Sequence, residues 1–322
     1  MKNIIKIELP TPFAVGSVNA YLVAGKNPVL VDCGPHTDEA KEALIKGVEE
    51  AGFTMPQITA AILTHYHPDH AGLALWLQQE YGIKIAAFHE SVPFFSDDRN
   101  FHDSRIAFYR NFYNENGVPE ALVEKELKKL IAYRSYCPSF YPDIMIKENL
   151  DACLLPDWKA VHVPGHSPDH IALFHEGART LIGGDVLLPR ISSNALIEPE
   201  YDGKKRMKTL LQYRNTLGEL AALNIIKVYP GHGEPFSDAS SLVGERLRDH
   251  DTRAAHILDI LKKQPGTAFS VAERLFPRLY KKEAGLVLSE VIGHLDLLEE
   301  REMVVQESGS QNASRYFAEV AL

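Results

Sequence analysis

The segment His65-Tyr66-His67-Pro68-Asp69-His70 places four metal-donor side chains within six residues. Imidazole nitrogens and carboxylate oxygens are the donor types that suit zinc, iron and manganese. A short apolar run at 60–64 precedes the segment and a helical pattern at 71–80 follows it, so it occupies a tight loop. Alternate residues send His65 and His67 to one side, while Asp69 and His70 open the helix and face a second position. Four donors this close serve two ions where one ion would leave some unused. The bland alternative is a solvated histidine-rich turn, but desolvating that many polar groups with no shared ion is costly.

Two ions need donors from elsewhere in the chain, and three candidates each follow a short apolar run. His166 follows Val161-His162-Val163-Pro164-Gly165, Asp185 follows Leu181-Ile182-Gly183-Gly184, and His232 follows Val228-Tyr229-Pro230-Gly231. Glycine before each donor lets backbone approach the site closely. Loops at strand ends are where binding side chains usually sit. The other nine histidines, His36, His89, His102, His162, His170, His175, His250, His256 and His294, read as surface or structural residues. Asp32, Asp169 and His170 read as groups that orient ligands, with a simple turn cap as the alternative for Asp32. Arg190 suits a substrate carboxylate or plain solvent, and Tyr66 faces either substrate or protein.

The elements that position these residues alternate between strands and helices. Strands are expected at 4–9, 18–24, 28–32, 60–64 and 83–88, with a helix at 37–51 that stops at Gly52. They resume at 160–163, 170–175, 179–183 and 225–229, with a helix at 205–221. Residues 91–150 differ: they hold 11 of the 29 aromatic residues, lack strand alternation, and read as helices at about 97–116 and 119–135. This segment is expected to be a helical insertion between the β-rich halves. From 240 the pattern predicts helices at 240–263, 269–276 and 284–300, then strands at 302–307 and 314–320. Three helices followed by a hairpin is the order of a winged helix, and a plain helical tail closed by a hairpin is the alternative.

Composition sets the outer limits. The 322 residues are 45% hydrophobic and 24% charged, with a formal net charge of −9. Such a chain builds a sizeable core and is a poor general binder of phosphate backbones. The aromatic segment 91–150 has a net charge of −1 and residues 240–322 have −2, so neither adds a basic footprint. Three cysteines, Cys33, Cys137 and Cys153, argue against a disulfide framework and fit a reducing compartment. The start, MKNIIKIELPTPF, is broken by charges and proline and does not read as a signal peptide. The cytoplasm is the expected location.

Taken together, Thr64-His65-Tyr66-His67-Pro68-Asp69-His70, Pro164-Gly165-His166-Ser167, Gly184-Asp185 and Pro230-Gly231-His232-Gly233 resemble the metallo-β-lactamase fold superfamily of hydrolases. Asn19-Ala20-Tyr21-Leu22-Val23 and Leu30-Val31-Asp32-Cys33-Gly34 look like that family's opening strands. The resemblance covers about 1–90 and 155–240. It implies an α/β fold, an αββα sandwich with a dinuclear centre at one edge. In that reading His65, His67 and His166 bind one metal, Asp69, His70 and His232 bind the second, and Asp185 bridges. The metals would be zinc, with iron or manganese as alternatives. The division expected is a catalytic domain at 1–240, carrying the 91–150 lid, and a winged-helix-like region at 241–322.

Within that superfamily, Asp185 and the missing signal separate the chain from the secreted lactamases, and His67 separates it from the diiron flavoproteins, which have glutamate there. The glyoxalase II and lactonase-like branch shares the ligand set. The activity expected is hydrolysis of a small ester, thioester or lactone by water activated between two metals, with Asp69 positioning that water and handling its proton. The alternatives are a phosphodiesterase or nuclease using the same metals, and a regulatory protein binding DNA through the winged helix. The expected partner is a small-molecule substrate, with no nucleic acid and no membrane, and a homodimer is the assembly to test.

Overall fold

The computed structural model describes residues 4–147, 154–201, 203, 205–307 and 313–319. The chain divides into two compact units. The first comprises Met1–Asp98, Ala132–Ser193 and Gly218–Val243, and the second Arg99–Ile131, Asn194–Leu217 and Gly244–Leu322.

Two sheets build the first unit. The larger has the order β1 (Ile4–Leu9), β2 (Val18–Val23), β3 (Val29–Val31), β4 (Ala60–Ile62), β5 (Lys84–Phe88) and β6 (Ile144–Ile146). Its first three strands are antiparallel and the rest run parallel. The smaller contains β7 (Trp158–His162), β8 (Ile171–His175), β9 (Thr180–Gly184), β10 (Lys227–Pro230) and β11 (Phe236–Ser237), in the order β11-β10-β9-β8-β7.

Period-two alternation decides which face each side chain takes. Tyr21, Val23, Val29, Val31, Ala60, Ile62, Ala86 and Phe88 share one core with Trp158, Ile171, Leu173 and Ile182 of the second sheet. Their neighbours Leu22, Leu30, Ala61, Ile85 and Ala87 point the other way, against Ala40, Leu44, Val48, Ala74 and Leu77. Those last residues come from α1 (Asp38–Glu50) and α3 (Ala74–Tyr81), on either side of the one-turn α2 (Pro68–Ala71). Central strands buried on both faces explain the unbroken apolar runs in the sequence. Thr37 caps α1 by accepting from Ala40 N at 3.2 Å, and Gly82 ends α3 at φ 66°.

The aromatic segment is divided between the units. The short α4 (Val92–Phe95) and residues 132–147 belong to the first, where β6 extends the large sheet. That strand falls inside the segment expected to be a helical insertion, beyond its two expected helices. Three residues are too few for alternation to stand out, although Ile146 is buried between the sheets and Met145 lies 60% exposed. In the second unit, α5 (Arg99–Glu115) and α6 (Glu120–Tyr133, whose last two residues belong to the first unit) pack against the C-terminal helices. Tyr109, Phe112, Tyr113, Val123 and Leu127 share a core with Ile257, Leu261, Phe269, Val291 and Leu295. The compact units therefore run across the expected 1–240 and 241–322 boundary, because the apolar face of α5 completes the C-terminal core.

The remaining helices are α7 (Thr209–Ala222), α8 (Ala239–Lys263), α9 (Ala268–Leu275) and α10 (Ala284–Glu300), followed by the hairpin β12 (Val304–Glu307) and β13 (Arg315–Ala318). Buried ion pairs hold this unit: Arg105 donates to both carboxylate oxygens of Glu198 at 2.8 and 2.7 Å, and Arg206 grips Asp296. No helix among the described residues is long and apolar enough to cross a membrane. Cys33 and Cys137 are free thiols, and Cys153 lies outside the described residues.

Candidate metal centre

Strand ends deliver the candidate ligands. Asp32 directly follows β3, Thr64 and His65 follow β4, Asp185 follows β9, and His232 follows β10. His166 lies in the loop between β7 and β8. Open sheets with parallel strands place their sites at such carboxyl ends. Backbone bonds fasten the loops together: Ile171 N donates to Thr64 O at 2.8 Å, and Gly231 N donates to Gly184 O at 2.7 Å. Asn19 Nδ2 donates to Pro230 O and Gly233 O at 2.9 and 2.7 Å, and the Tyr21 hydroxyl donates to Pro230 O at 2.6 Å. These bonds hold the turn that carries His232.

All seven expected ligand residues converge. His65, His67 and His166 form one set, His65, His70 and Asp185 a second, and Asp69, His70 and His232 a third, with the donor atoms of each set within 4.8 Å of one another. His67 Nδ1 lies 2.8 Å from His65 Nε2 and 3.0 Å from His166 Nε2. Asp185 joins the two sides, with Oδ2 3.6 Å from His166 Nε2 and 3.5 Å from His232 Nε2, and Oδ1 3.4 Å from His70 Nε2. Asp69 Oδ2 is 3.4 Å from His232 Nε2.

The donor set fits divalent ions. Among the described residues, buried His70 Nε2, Asp185 Oδ1 and His232 Nε2 face one another and Asp69 at 3.4–3.5 Å without making a well-formed hydrogen bond. Each such atom costs about 1–3 kcal/mol when left unsatisfied, and a shared cation removes the deficit for all three. The glycines beside the cluster leave it room. A Cβ on Gly231 would overlap Asp185 Oδ1, and one on Gly184 would lie 2.7 Å from Thr64 Oγ1.

Charge is distributed unevenly across the cluster. Burial lowers His67 to about 3, with His166 adding repulsion, and His65 is likewise held neutral by burial and by His70. Burial also opposes a charge on His232, yet Asp185 and Asp69 raise it to about 10. His70 is raised well above its ordinary value despite burial, by Asp185, Asp32 and Asp69. Burial opposes the charge on Asp185 as well, but His70 and His232 hold it ionised far below the usual range. The carboxylate side of the site demands positive charge, which protons or metal ions can supply.

A surrounding set of hydrogen bonds fixes the outer nitrogens, which orients the inner ones. Asp32 accepts from Thr64 N and Thr64 Oγ1, both at 2.8 Å, and from His70 Nδ1 at 2.7 Å. Thr64 Oγ1 also meets His65 Nδ1 at 3.0 Å. His166 Nδ1 meets Ser193 Oγ at 3.0 Å, and His232 Nδ1 donates to Ser17 O at 2.7 Å. His170 Nε2 accepts from Asp185 N at 3.1 Å, while Asp169 accepts from Ser167 and Ser91 at 2.7 and 2.6 Å. Asp32, Asp169 and His170 thus orient the loops that bear the ligands. Ser193, Ser17 and Ser91 went unread in the sequence: Ser193 and Ser91 lie in no motif, and Ser17 acts through its backbone carbonyl. Thr64 stood beside His65 in plain view.

Arg190 is exposed and makes no ion pair among the described residues. Tyr66 stacks on Phe94 with ring centres 4.0 Å apart and lies edge-on to His67 at 4.7 Å.

A sequence model of the metallo-beta-lactamase superfamily matches residues 14–232. The chain belongs to the metallo-beta-lactamase superfamily. It is 37% identical over 303 residues to a protein described as a probable metallo-hydrolase, YqjP of Bacillus subtilis, covering 94% of each chain. The crystal structure of the metallo-beta-lactamase family protein TTHA1429 of Thermus thermophilus superposes with a TM-score of 0.80 at 26% identity, over 98% of each chain. A beta-lactamase domain protein of Burkholderia ambifaria shares the fold, with a TM-score of 0.77 at 23% identity over 98% of this chain and 92% of its own. As a metallo-beta-lactamase superfamily hydrolase, the chain is an enzyme, and its His/Asp clusters are its candidate metal-binding site.

Proposed function

We propose that the protein is a dinuclear metal-dependent hydrolase of small esters, thioesters or lactones. The observation that carries this is the sharing of donors: Asp185 reaches His166 on one side and His70 and His232 on the other. His65, His67 and His166 would hold one ion, Asp69, His70 and His232 the second, and Asp185 both. When bound, zinc, iron or manganese at these positions supplies Lewis acidity and brings water towards ionisation near neutral pH.

The chain's own residues do the rest. Asp69, held against His232, orients the attacking water, accepts its proton and returns it to the leaving group. Asp32, Thr64, Ser193 and the Ser17 carbonyl keep four imidazoles in fixed orientations, which lowers the reorganisation needed during reaction. Phosphodiester substrates are less well served. The C-terminal residues 240–322, read as a winged-helix-like module serving assembly, have a net charge of −2 and so no surplus of cations to neutralise a phosphate backbone. The cytoplasm is the location proposed, on the sparse cysteines.

The test is a panel of thioesters, lactones, aryl esters and phosphodiesters assayed with zinc- and manganese-loaded protein. Turnover of a carbonyl substrate, lost on chelation, supports the reading. Turnover of phosphodiesters alone overturns it.

A further inference from the structure

We infer that the second unit holds a binding site for a small phosphorylated aromatic molecule of the nucleoside monophosphate class, in a cavity walled by α5, residues 203–208 and the β12–β13 hairpin. The cavity encloses about 580 Å³, within the range of about 300–1,000 Å³ for small-molecule sites. Its lining residues all belong to the second unit, and none is a member of the donor clusters of the first. Three stretches of chain far apart in sequence meet around it, so a ligand that touches all three would bind only the folded unit.

The groups on the lining match one kind of ligand. Lys205 and Lys208 are exposed and make no ion pair among the described residues, whereas their neighbour Arg206 is taken up by Asp296. Two free ammonium groups three residues apart suit a phosphate, which lysine binds as a point charge. Phe108 is half-buried and stacks on Phe112, with planes 9° apart and centres 5.9 Å apart, which holds its ring in place. A ring held at a cavity wall stacks a flat base. Tyr316 is only 1% exposed, yet its hydroxyl makes no hydrogen bond with another described residue. Burial raises it above the ordinary tyrosine range, so the hydroxyl keeps its proton and is a donor in need of an acceptor. Glu115 and Asn111 also line the cavity and accept from hydroxyl and amino donors, such as those of a ribose or a base edge. An inorganic anion would leave the ring unused, and a neutral ring would leave the lysines unused. A nucleoside monophosphate uses both, and Glu115 opposes further phosphates, so the fit is to one phosphate rather than to a polymer.

The test titrates full-length, metal-loaded protein by calorimetry with AMP, adenosine and inorganic phosphate. AMP is expected to bind saturably at one site per chain, with adenosine and inorganic phosphate each weaker by about tenfold or more, since each lacks one half of the recognition. The double variant Lys205→Gln/Lys208→Gln changes only exposed side chains and is expected to weaken AMP binding by about tenfold or more. Phe108→Leu keeps apolar volume but loses the flat face, and is expected to weaken it by about fivefold. AMP should also raise the Tm of wild type and not that of the double lysine variant, because it binds only the folded unit. Asp185→Asn, which alters the donor cluster, is expected to leave AMP affinity unchanged and so separates this site from phosphate held by metal ions. Absence of saturable AMP binding overturns the proposal, as does inorganic phosphate binding as tightly as AMP. AMP affinity that is lost in Asp185→Asn but kept in the double lysine variant overturns it as well, by assigning the binding to the donor cluster.

Discussion

Asp32 and His70 share a hydrogen bond of 2.7 Å in which neither side chain is open to solvent. Asp32 sits at φ 60°, a left-handed conformation that aspartate tolerates better than most residues. From there it also takes the Thr64 amide and hydroxyl, and Thr64 in turn meets His65. One carboxylate thus sets the orientation of imidazoles on both sides of the cluster. Asp32→Asn is expected to weaken metal affinity by about 10–100-fold, the range for lost partners of metal-bound histidine. Competition with a graded series of chelators measures it. Wild-type affinity in the variant would reduce Asp32 to a turn residue.

Metal content follows from the donor count. Seven donor residues exceed what one tetrahedral ion takes, so purified protein reconstituted with zinc should hold close to two ions per chain. Elemental analysis alongside activity checks this. A fully active protein with a stable content of one ion per chain would contradict the dinuclear proposal.

How much of this was legible in the sequence depended on whether a signal was local. The ligand residues stand in short motifs after apolar runs, and β1, β5 and α10 fall within a residue or two of their expected spans. Buried strands announce themselves because both faces need apolar residues. The aromatic segment misled for the same reason: its rings show apolarity but not their partner. Tyr109 and Phe112 belong with Ile257 and Val291, more than 100 residues on, and nothing in the chain's periodicity encodes that pairing. Orienting contacts such as Ser193 with His166 and Ser17 with His232 are matters of three-dimensional placement alone.

The second unit carries its own acid sensitivity. Burial lowers His250 to about 3, helped by His294 and Arg214, whereas its ordinary value is 6.5. Between those values the unfolded chain binds more protons than the folded one, so stability rises with pH across that window. The contribution is complete above about 6.5 and is lost as the pH falls towards 3. Chemical denaturation at pH 7, 6 and 5 should show wild type losing stability more steeply than His250→Gln. Parallel pH dependence in the two proteins would remove His250 as the cause.

Nucleic acid is not an expected partner. Duplex binding requires phosphates to be neutralised by lysine and arginine, with affinity falling steeply in salt. The net charge of −2 over 240–322 gives no such surplus. Titration with labelled random duplex DNA and RNA at low salt should show no saturable binding. Salt-sensitive binding that a charge-reversed variant of Arg246, Arg248 and Arg253 abolishes would overturn the expectation and favour the DNA-binding reading of the C-terminal region.

Asp69 has two roles in the proposed mechanism, ligand and proton carrier, and a single substitution separates them. Burial opposes its charge, but His70 and His232 hold its carboxyl below the usual range, so it is ionised when water must be deprotonated. Asp69→Asn keeps the size and one acceptor oxygen while removing the base. It is expected to lower kcat by about 10²–10⁴-fold, the range for lost general acid–base catalysis, with partial loss of the ion near His232. His65→Ala should instead act mainly by losing the ion near His67 and His166, because His65 contributes to two of the three donor sets. Steady-state kinetics paired with elemental analysis of each variant distinguishes the two. Full activity in Asp69→Asn with both ions retained would take Asp69 out of the chemistry and leave water activation to the metals alone.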